Sequence, residues 1–253
     1  MTEKAARWAH YIELRPDQLQ RIVDETPVAY WPLGSIEHHG WALPVGFDGL
    51  RPQRQCLRMV KRTGGVMLPV MWWGGGGGHA GFKWTFYQPM DAVEAIFKTT
   101  IHKLIGFGFK CIVPMPGHGP WSYILDSALP GVAEAHPDVL IVGAPGAPDH
   151  PPGLQLKGDH AARWETAYGL ALLPELIDAS APQSHRDLSK VWPMGGPPPA
   201  NERMPAVNFD ETSPLFSQMG EDSRLAKAED VEGMIAAVED YIVGLVNKRL
   251  GRS

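Results

Sequence analysis

The sequence predicts an α/β fold built on a mostly parallel sheet. Short apolar runs alternate with segments of helical periodicity, as in proteins whose parallel strands are joined by crossover helices. The runs are continuously apolar, which is typical of strands buried on both faces. The chain has 253 residues, 44% of them hydrophobic, so it can bury a substantial core, and no domain boundary is evident. We therefore predict one domain over residues 1–253.

Four segments have the composition of buried strands. They cover residues 27–33, 65–73, 110–115 and 138–144. In open α/β sheets, ligands bind beyond the carboxyl ends of the strands. The residues directly after these segments are therefore the first place to look for a site.

The predicted helices lie between and after the strands. Residues 91–108 carry apolar side chains at helical spacing, and glycine closes the segment. Pro120 suits the first turn of a helix that follows the third strand. Residues 167–177 have a helix-like pattern, and 228–250 place their apolar residues on one face. We expect the last helix to pack on the sheet.

Two stretches are rich in residues that break regular structure. The five glycines at 74–78 lack the Lys-Ser/Thr ending of a phosphate loop, so we interpret them as a mobile or closely packed connection. Residues 181–216 are too rich in proline and glycine for regular structure. Long irregular segments in a compact domain are usually functional or involved in assembly.

Composition excludes several classes of protein. The net charge is −5, from 23 basic and 28 acidic residues, and no basic run favours nucleic-acid binding. The first residues are charged where a signal peptide is apolar, and no window is long enough to cross a membrane. We therefore predict a cytoplasmic protein with no membrane contact. The two cysteines, Cys56 and Cys111, stand alone, and we expect buried thiols.

Polar side chains follow the first and third predicted strands. The first strand leads into Glu37, His38 and His39, with Asp48 shortly after, and the third leads into His118. Because parallel strands end at the same edge of a sheet, these side chains are expected to converge. Neighbouring residues in an extended segment point in opposite directions, so only one of the two adjacent histidines is expected to enter the site.

A third polar group, Asp159, His160 and Glu165, precedes the helix-like segment 167–177. Taken alone, each candidate could be a solvated charge, a turn residue or a helix cap, but three such clusters together indicate a site. Histidine and carboxylate ligands without cysteine suit Zn²⁺, Mn²⁺ or Fe²⁺, and a carboxylate can bridge two ions. Two such ions generate a hydroxide at neutral pH, so the predicted chemistry is hydrolysis.

These residues resemble the motifs of the creatininase family. The first motif, Gly-Ser/Ala-x-Glu-x-His-Gly, is similar to residues 34–40, and Asp48 follows the glutamate at the family's spacing of eleven residues. The second, a Gly-His after a strand, is similar to residues 117–118. The third, an acid-His followed by Glu-Thr, is similar to residues 159–160 and 165–166. The resemblance covers roughly residues 20–180 in the same order.

The resemblance implies a single-domain, three-layer α/β sandwich that acts as a hydrolase with two divalent ions, Zn²⁺ and/or Mn²⁺, with Fe²⁺ as an alternative. It also implies a homo-oligomer, with a hexamer favoured. The implied metal ligands are Glu37, His39, Asp48 and His118, with Asp48 as the bridge. His160 matches the catalytic histidine, a general acid that its neighbour Asp159 would orient.

The sequence departs from the family at one ligand position. Creatininase has a glutamate ligand two residues after the histidine of the second motif, but this chain has Pro120, which cannot coordinate a metal. Glu165, which matches the Glu-Thr position, is the expected replacement. Other motif positions also differ, so creatinine is not assumed to be the substrate.

Aromatic residues near the motifs are candidates for contacting the substrate. We expect Trp84, Trp121 and Trp164 to wall a cleft for a ring-shaped small molecule, although packing in the core or between subunits is an equal alternative for each. His79, after the glycine run, is a candidate substrate contact or accessory base.

Four functions stay open at this point. The first is hydrolysis of a small cyclic amide or formamide, by attack of hydroxide on a metal-polarised carbonyl. The second is hydrolytic C–C ring opening of a keto-inositol or oxidised sugar. Hydroxyl-binding walls would favour this second reaction, whereas a dry, indole-lined slot would favour the amide. The third is a non-catalytic, oligomeric metal-binding protein. The fourth is sugar isomerisation or epimerisation through a metal-held enediolate.

Overall fold

A parallel sheet forms the centre of the fold. The computed structural model describes residues 7–183 and 191–252. The strands in these ranges are β1 (Trp8–His10), β2 (Val28–Leu33), β3 (Gly65–Met67), β4 (Cys111–Pro116) and β5 (Leu140–Ile141). They lie in the order β1-β3-β2-β4-β5, and every neighbouring pair is parallel. The predicted parallel sheet is therefore confirmed.

Helices cover both faces of the sheet. They are α1 (Pro16–Glu25), α2 (Phe47–Thr63), α3 (Met90–Gly106), α4 (Trp121–Ala135), α5 (Arg163–Leu172) and α6 (Glu229–Arg249). Side chains of α1, α3 and α4 share one hydrophobic cluster with the sheet, and those of α2 and α6 share another. Helix α5 packs against α2 and α6. These are the three layers that the family resemblance implies.

The central strand β2 supplies side chains to both layers. Ala29, Trp31 and Leu33 belong to the cluster under α3 and α4, whereas Val28 and Tyr30 belong to the cluster under α2 and α6. This alternation is the two-residue repeat of a strand. All six residues of β2 are buried, which explains why the segment is apolar throughout.

Two predicted strands are shorter in the structure. In 65–73 the regular strand ends at Met67, because Pro69 has no N–H to donate and the chain then makes only a single bridge, between Met71 and Leu33. In 138–144 the strand ends at Ile141, because Gly143 has a φ of 92° and its N–H turns back to Ala147 O. Both ends leave room for loops at the carboxyl edge of the sheet.

Sequence reasoning identified α3, α4 and α6 but not α1, α2 or β1. Helix α2 is the important omission, because it carries Asp48 in its first turn. The alternative interpretation of Asp48, as a residue of a loop turn, did not include this helix. Gly49 and Pro52 are poor helix formers and hide the helix in the sequence. The helix is stabilised by tertiary packing, through a buried face that includes Cys56 and Met59.

The glycine run 74–78 is closely packed. Gly77 has a φ of 128°, and a Cβ on it would lie 2.3 Å from Tyr87 Oη. A Cβ on Gly78 would lie 2.6 Å from Met204 Sδ. The structure therefore agrees with the closely packed alternative for this connection.

Several smaller predictions can also be compared with the structure. The described part of 181–216 is irregular apart from short 3-10 turns such as Ala200–Glu202, and residues 184–190 lie outside the described residues. Cys56 and Cys111 are buried free thiols, as expected. Within 7–183 and 191–252, no helix is both long and apolar enough to cross a membrane.

Candidate metal centre

The predicted ligands meet at the carboxyl edge of the sheet. Strand β2 leads directly into Glu37 and His39, and β4 leads into His118. Helix α2 presents Asp48 from its first turn, and α5 presents Glu165 from its own first turn. All five side chains are buried, each 9% exposed or less. The structure therefore brings together every residue that was expected to bind metal.

Two motif glycines allow the segments to approach closely. A Cβ on Gly34 would lie 2.4 Å from Gly49 Cα, and a Cβ on Gly117 would lie 1.8 Å from Asp48 O. No real Cβ could occupy either position without moving backbone. Because only glycine fits there, the loop after each strand lies directly against the start of α2, beside Asp48.

Asp48 is shared between two groups of ligands. Its Oδ1 lies 3.0 Å from His39 Nε2, and its Oδ2 lies 2.9 Å from His118 Nδ1. Glu37 Oε2 lies 3.0 Å from His118 Nδ1 on one side, and Glu165 Oε2 lies 3.6 Å from His39 Nε2 on the other. In each group, Glu37-Asp48-His118 and His39-Asp48-Glu165, the candidate ligand atoms lie within 4.8 Å of one another.

The backbone fixes the orientation of four histidine rings at this centre. In each ring one nitrogen faces a carbonyl oxygen, which can only accept, so that nitrogen carries the proton. The pairs are His39 Nδ1 with Glu37 O (3.0 Å), His118 Nε2 with Gly76 O (2.9 Å), His160 Nε2 with His38 O (2.9 Å) and His79 Nε2 with Ser217 O (2.7 Å). In the neutral imidazole, the other nitrogen then carries a lone pair and can accept a proton or bind a cation.

These lone pairs all face carboxylate oxygens. The contacts of His39 and His118 with carboxylates are given above. Glu37 Oε1 lies 3.3 Å from His79 Nδ1 and 3.4 Å from His160 Nδ1. A lone pair next to a carboxylate is repulsive unless a proton or a cation lies between them. Imidazoles that donate one N–H to a carbonyl and present the other nitrogen are typical metal ligands. The donor set therefore fits divalent cations.

The pKa values show the same need for positive charge. Burial opposes a charge on His39, but the Asp48 carboxylate outweighs it and raises the pKa of His39 to about 10. The pKa of His118 is also raised despite burial, by Asp48 and Glu37. Burial raises the pKa of Glu165 to about 8. In the ion-free protein, His39, His118 and Glu165 are thus protonated, and metal binding would release these protons.

Ser35 and Ala161 support the carboxylates. Ser35 Oγ donates to Asp48 Oδ2 at 2.8 Å and lies 3.2 Å from Glu37 Oε2. The N–H of Ala161 donates to Glu165 Oε2 at 2.7 Å. Ala161 has a φ of 52°, a left-handed conformation that a non-glycine residue adopts only when the surrounding structure holds it there. Ser35 belongs to the first motif, but sequence reasoning assigned it no role.

His160 stands at the edge of the ligand cluster. Its ring stacks on His79 with centroids 3.8 Å apart. Burial and the nearby charge of His39 lower the pKa of His160 to about 3, so the ring is neutral and its Nδ1 carries a lone pair. His38, in contrast, stacks its ring on Phe82 at 5.0 Å and contributes only its carbonyl to the site. This agrees with the expectation that only one of the adjacent histidines enters.

Asp159 does not orient His160, which corrects the sequence-based expectation. Its carboxylate accepts hydrogen bonds from Trp164 N at 2.8 Å and Glu165 N at 3.0 Å, so it caps the start of α5. The partner that orients the His160 ring is the carbonyl of His38. An aspartate before a helix satisfies its free N–H groups, and this local role takes precedence here.

Comparison with known proteins assigns the chain to a family. The family model Creatininase, described as creatinine amidohydrolase, matches residues 13–246. The chain belongs to the creatininase family. Among curated proteins, none matches the chain.

Solved creatininase structures have the same fold as this chain. A crystal structure of creatinine amidohydrolase (creatininase) is 22% identical, covers 99% of this chain and 100% of its own, and has a TM-score of 0.68. A creatininase variant of the Zn-Zn type is 21% identical with a TM-score of 0.67, covering 97% and 98%. A structure described as creatininase Mn is 21% identical with a TM-score of 0.66, covering 96% and 98%.

This creatininase-family chain differs at the position of Pro120. The proline precedes α4 and lines the cavity in front of the ligand cluster, where it offers no donor atom. A carboxylate beside His39 and Asp48 is supplied by Glu165. Its placement agrees geometrically with the expected replacement.

The structure places the three candidate tryptophans away from the cavity, and none is among the described residues that line it. Trp121 is buried and donates from Nε1 to Gly34 O at 3.0 Å, so it belongs to the core. Trp164 packs with the cluster around α5 and lies under the Arg163 guanidinium. Trp84 is 61% exposed. His79 differs from them, since it is buried in the centre itself and lines the cavity.

An open cavity of about 1040 Å³ leads to the ligand cluster. Its inner wall contains Glu37, Asp48, His118 and Glu165. We use the term outer wall for the six residues that line it from the irregular part of the chain: Pro198, Asn201, Glu202, Arg203, Met204 and Met219. Five of them come from the Pro- and Gly-rich segment 181–216, for which a functional or assembly role was expected.

Proposed function

We propose that this creatininase-family chain is a hydrolase that holds two divalent ions, Zn²⁺ or Mn²⁺, with Fe²⁺ as an alternative. The observation that carries the proposal is the shared carboxylate of Asp48, whose two oxygens each face a different histidine. Glu37 and His118 would hold one ion, and His39 and Glu165 the other. Two similar solved structures, one of the Zn-Zn type and one called creatininase Mn, support this choice of metals.

Ions held there would supply Lewis acidity, which polarises a substrate carbonyl and lowers the pKa of a bound water molecule. The inner wall is open to the cavity, so a substrate can reach the cluster directly. A purely structural metal site would be closed by its own ligands. This access favours catalysis over the non-catalytic alternative.

His160 is the proposed proton carrier. Its Nε2–H is held by His38 O, and its neutral Nδ1 points towards the cluster, 3.4 Å from Glu37 Oε1. In that state Nδ1 can accept the proton that the attacking water releases. It can then donate the same proton to the leaving group, which balances the transfer without a further acid. The stacked ring of His79 fixes the plane in which this happens.

The substrate is proposed to be a small cyclic amide or formamide. A second candidate is the hydrolytic C–C ring opening of a hydroxylated cyclic ketone such as a keto-inositol. One observation favours the second candidate: Asn201, Glu202 and Arg203 make the outer wall polar, and no tryptophan is among the described residues that line it. Hydroxyl groups would find hydrogen-bond partners on such a wall.

Metal content per chain tests the proposal. We expect about two equivalents in protein purified without chelator, and about one in Glu165→Gln, because the amide is a weaker ligand than the carboxylate. His160→Gln is the matched variant, since it also changes one cavity side chain to glutamine. It should keep about two equivalents and lose ~10²- to 10⁴-fold in hydrolytic rate.

Elemental analysis and turnover of a panel of cyclic amides, formamides and keto-inositols would be measured on the same preparations. One equivalent or none in the wild type, unchanged by Glu165→Gln, would overturn the two-ion proposal. Loss of metal in His160→Gln would make His160 a ligand rather than the proton carrier.

A further inference from the structure

Arg203 brings a guanidinium group to the cavity wall. Of the described residues that line the cavity, no other is an arginine or lysine. Five carboxylates line the same cavity: Glu37, Asp48 and Glu165 belong to the ligand cluster, Asp159 caps α5, and Glu202 is the neighbour of Arg203 in the chain. Four of the five are therefore already committed in the space that Arg203 lines.

The arginine side chain is held in place without using its ion-pairing edge. Its Nε–H donates to Pro198 O at 2.8 Å, and its guanidinium carbon lies 5.3 Å from the centre of the Phe209 ring. Arg203 makes no ion pair with any residue in 7–183 or 191–252. The N–H groups of Nη1 and Nη2 thus remain for a ligand, as a planar fork that matches the two oxygens of a carboxylate.

The segment that carries Arg203 is seated on the glycine run of the metal centre. A Cβ on Gly78 would lie 2.6 Å from Met204 Sδ, and a Cβ on Gly81 would lie 3.0 Å from Pro198 Cγ. His79 lies between these glycines and contacts Glu37. The segment that carries Arg203 therefore lies against the segment that carries His79, through the side chains of Met204 and Pro198.

We propose that Arg203 makes the cavity selective for substrates that carry a carboxylate group, bound by the guanidinium fork while the reacting carbonyl meets the inner wall. The inference rests on the proposed function of the same cavity. It applies to either candidate reaction, since a cyclic amide and an oxidised sugar can both carry a carboxylate. Tyr123, Met204 and Met219 add apolar surface for the body of such a molecule.

Matched probe pairs that differ by one carboxylate test this selectivity. We would use pyroglutamate with 2-pyrrolidinone, dihydroorotate with dihydrouracil, and glucuronate with glucose, on the full chain loaded with Zn²⁺ or Mn²⁺. Binding is measured by calorimetry and hydrolysis separately by product analysis. For at least one pair, the carboxylated member should bind ~10- to 100-fold more tightly, which is the range of a charged hydrogen-bonded pair.

Three variants locate the effect. Arg203→Met should abolish the preference, and Arg203→Lys should keep only part of it because an ammonium lacks the fork. Arg21→Met, the matched control at an exposed arginine of α1 that does not line the cavity, should leave the preference in place. Metal content should equal that of the wild type in all three, since none of these residues belongs to the ligand cluster.

Three results would overturn the inference. These are no binding of any carboxylated probe to the loaded wild type, equal binding of both members of every pair, or a preference that survives Arg203→Met. The last would mean that the carboxylate binds the metal ions. Hydrolysis of neutral probes by a wild type that shows no preference for the carboxylated members would retain the proposed function and reject the inference. Arg203-dependent binding without hydrolysis of any probe would do the reverse.

Discussion

The inner and outer walls of the cavity are built in different ways. On the inner wall, Glu37, Asp48 and His118 are buried, and each is held by at least two neighbouring groups. The outer wall comes from irregular chain, and Met204 there is 44% exposed. The proposed chemistry therefore depends on packed structure, whereas the proposed selection of substrate depends on outer-wall side chains that can change at little cost to the fold.

The inner wall also tolerates added side-chain atoms less well than the outer wall. A Cβ on Gly117 would meet the backbone oxygen of Asp48 at 1.8 Å, but a Cβ on Gly78 would meet the flexible end of Met204. Packed backbone transmits strain, whereas the end of a methionine side chain can rotate away. Substitutions on the inner wall should therefore change metal binding, and those on the outer wall should change only substrate binding.

The largest effect is expected for Asp48→Asn. This change removes the charge that both ligand groups share, so metal content should fall from about two equivalents to below one, and hydrolysis should be lost. Elemental analysis and turnover would be measured on the same sample. Asp91→Asn is the matched control, because Asp91 occupies the same position in the first turn of α3 and is exposed. It should leave both readings unchanged.

Full metal content in Asp48→Asn would contradict the bridging role of Asp48. In that case the two ligand groups would bind metal without the Asp48 carboxylate that they share, and the inner wall would not depend on that carboxylate.

A smaller effect is expected for Ser35→Ala. The substitution removes the hydrogen bond from Ser35 Oγ to Asp48 Oδ2 without removing a ligand. Groups that orient a metal ligand typically contribute ~10- to 100-fold in metal affinity, and competition with a chelator would measure the loss. The control is Ser127→Ala, which removes an exposed serine–carboxylate hydrogen bond to Glu94 far from the centre. Equal affinity in the two variants would show that Ser35 does not support the metal site.

The sequence predicted the inner wall better than the outer wall for a physical reason. Glu37, His39 and His118 follow strands directly, so the edge of a parallel sheet brings them together whatever the rest of the chain does. Asp48 was found through its spacing in the motif, although the helix that carries it was hidden by Gly49 and Pro52. Ligand identity therefore depends on local order in the sequence, which can be read directly.

Roles that depend on contacts between distant segments could not be read in this way. The carbonyls that fix His79 and His160 belong to Ser217 and His38, more than a hundred residues away in each case. Trp121 follows a motif closely in sequence, yet its ring turns into the core because α4 buries that face. Proximity in sequence does not specify the direction of a side chain. For the same reason, the proposed role of Arg203 could be inferred only from the folded chain.

The smallest effect is expected for Gly78→Ala. The new Cβ would displace Met204 Sδ and press on Val207 Cγ2, which lies 3.1 Å from its position, so the outer wall should shift by a few tenths of an ångström. We expect KM for a hydrolysed substrate to rise less than ~10-fold, with kcat and metal content unchanged, because only ground-state binding is affected. Gly106→Ala is the control, since a Cβ there would have no described residue within 4 Å outside its own turn of α3. A fall in kcat or loss of metal in Gly78→Ala would show that strain passes through the glycine run to His79 and Gly76, and that the two walls act as one unit.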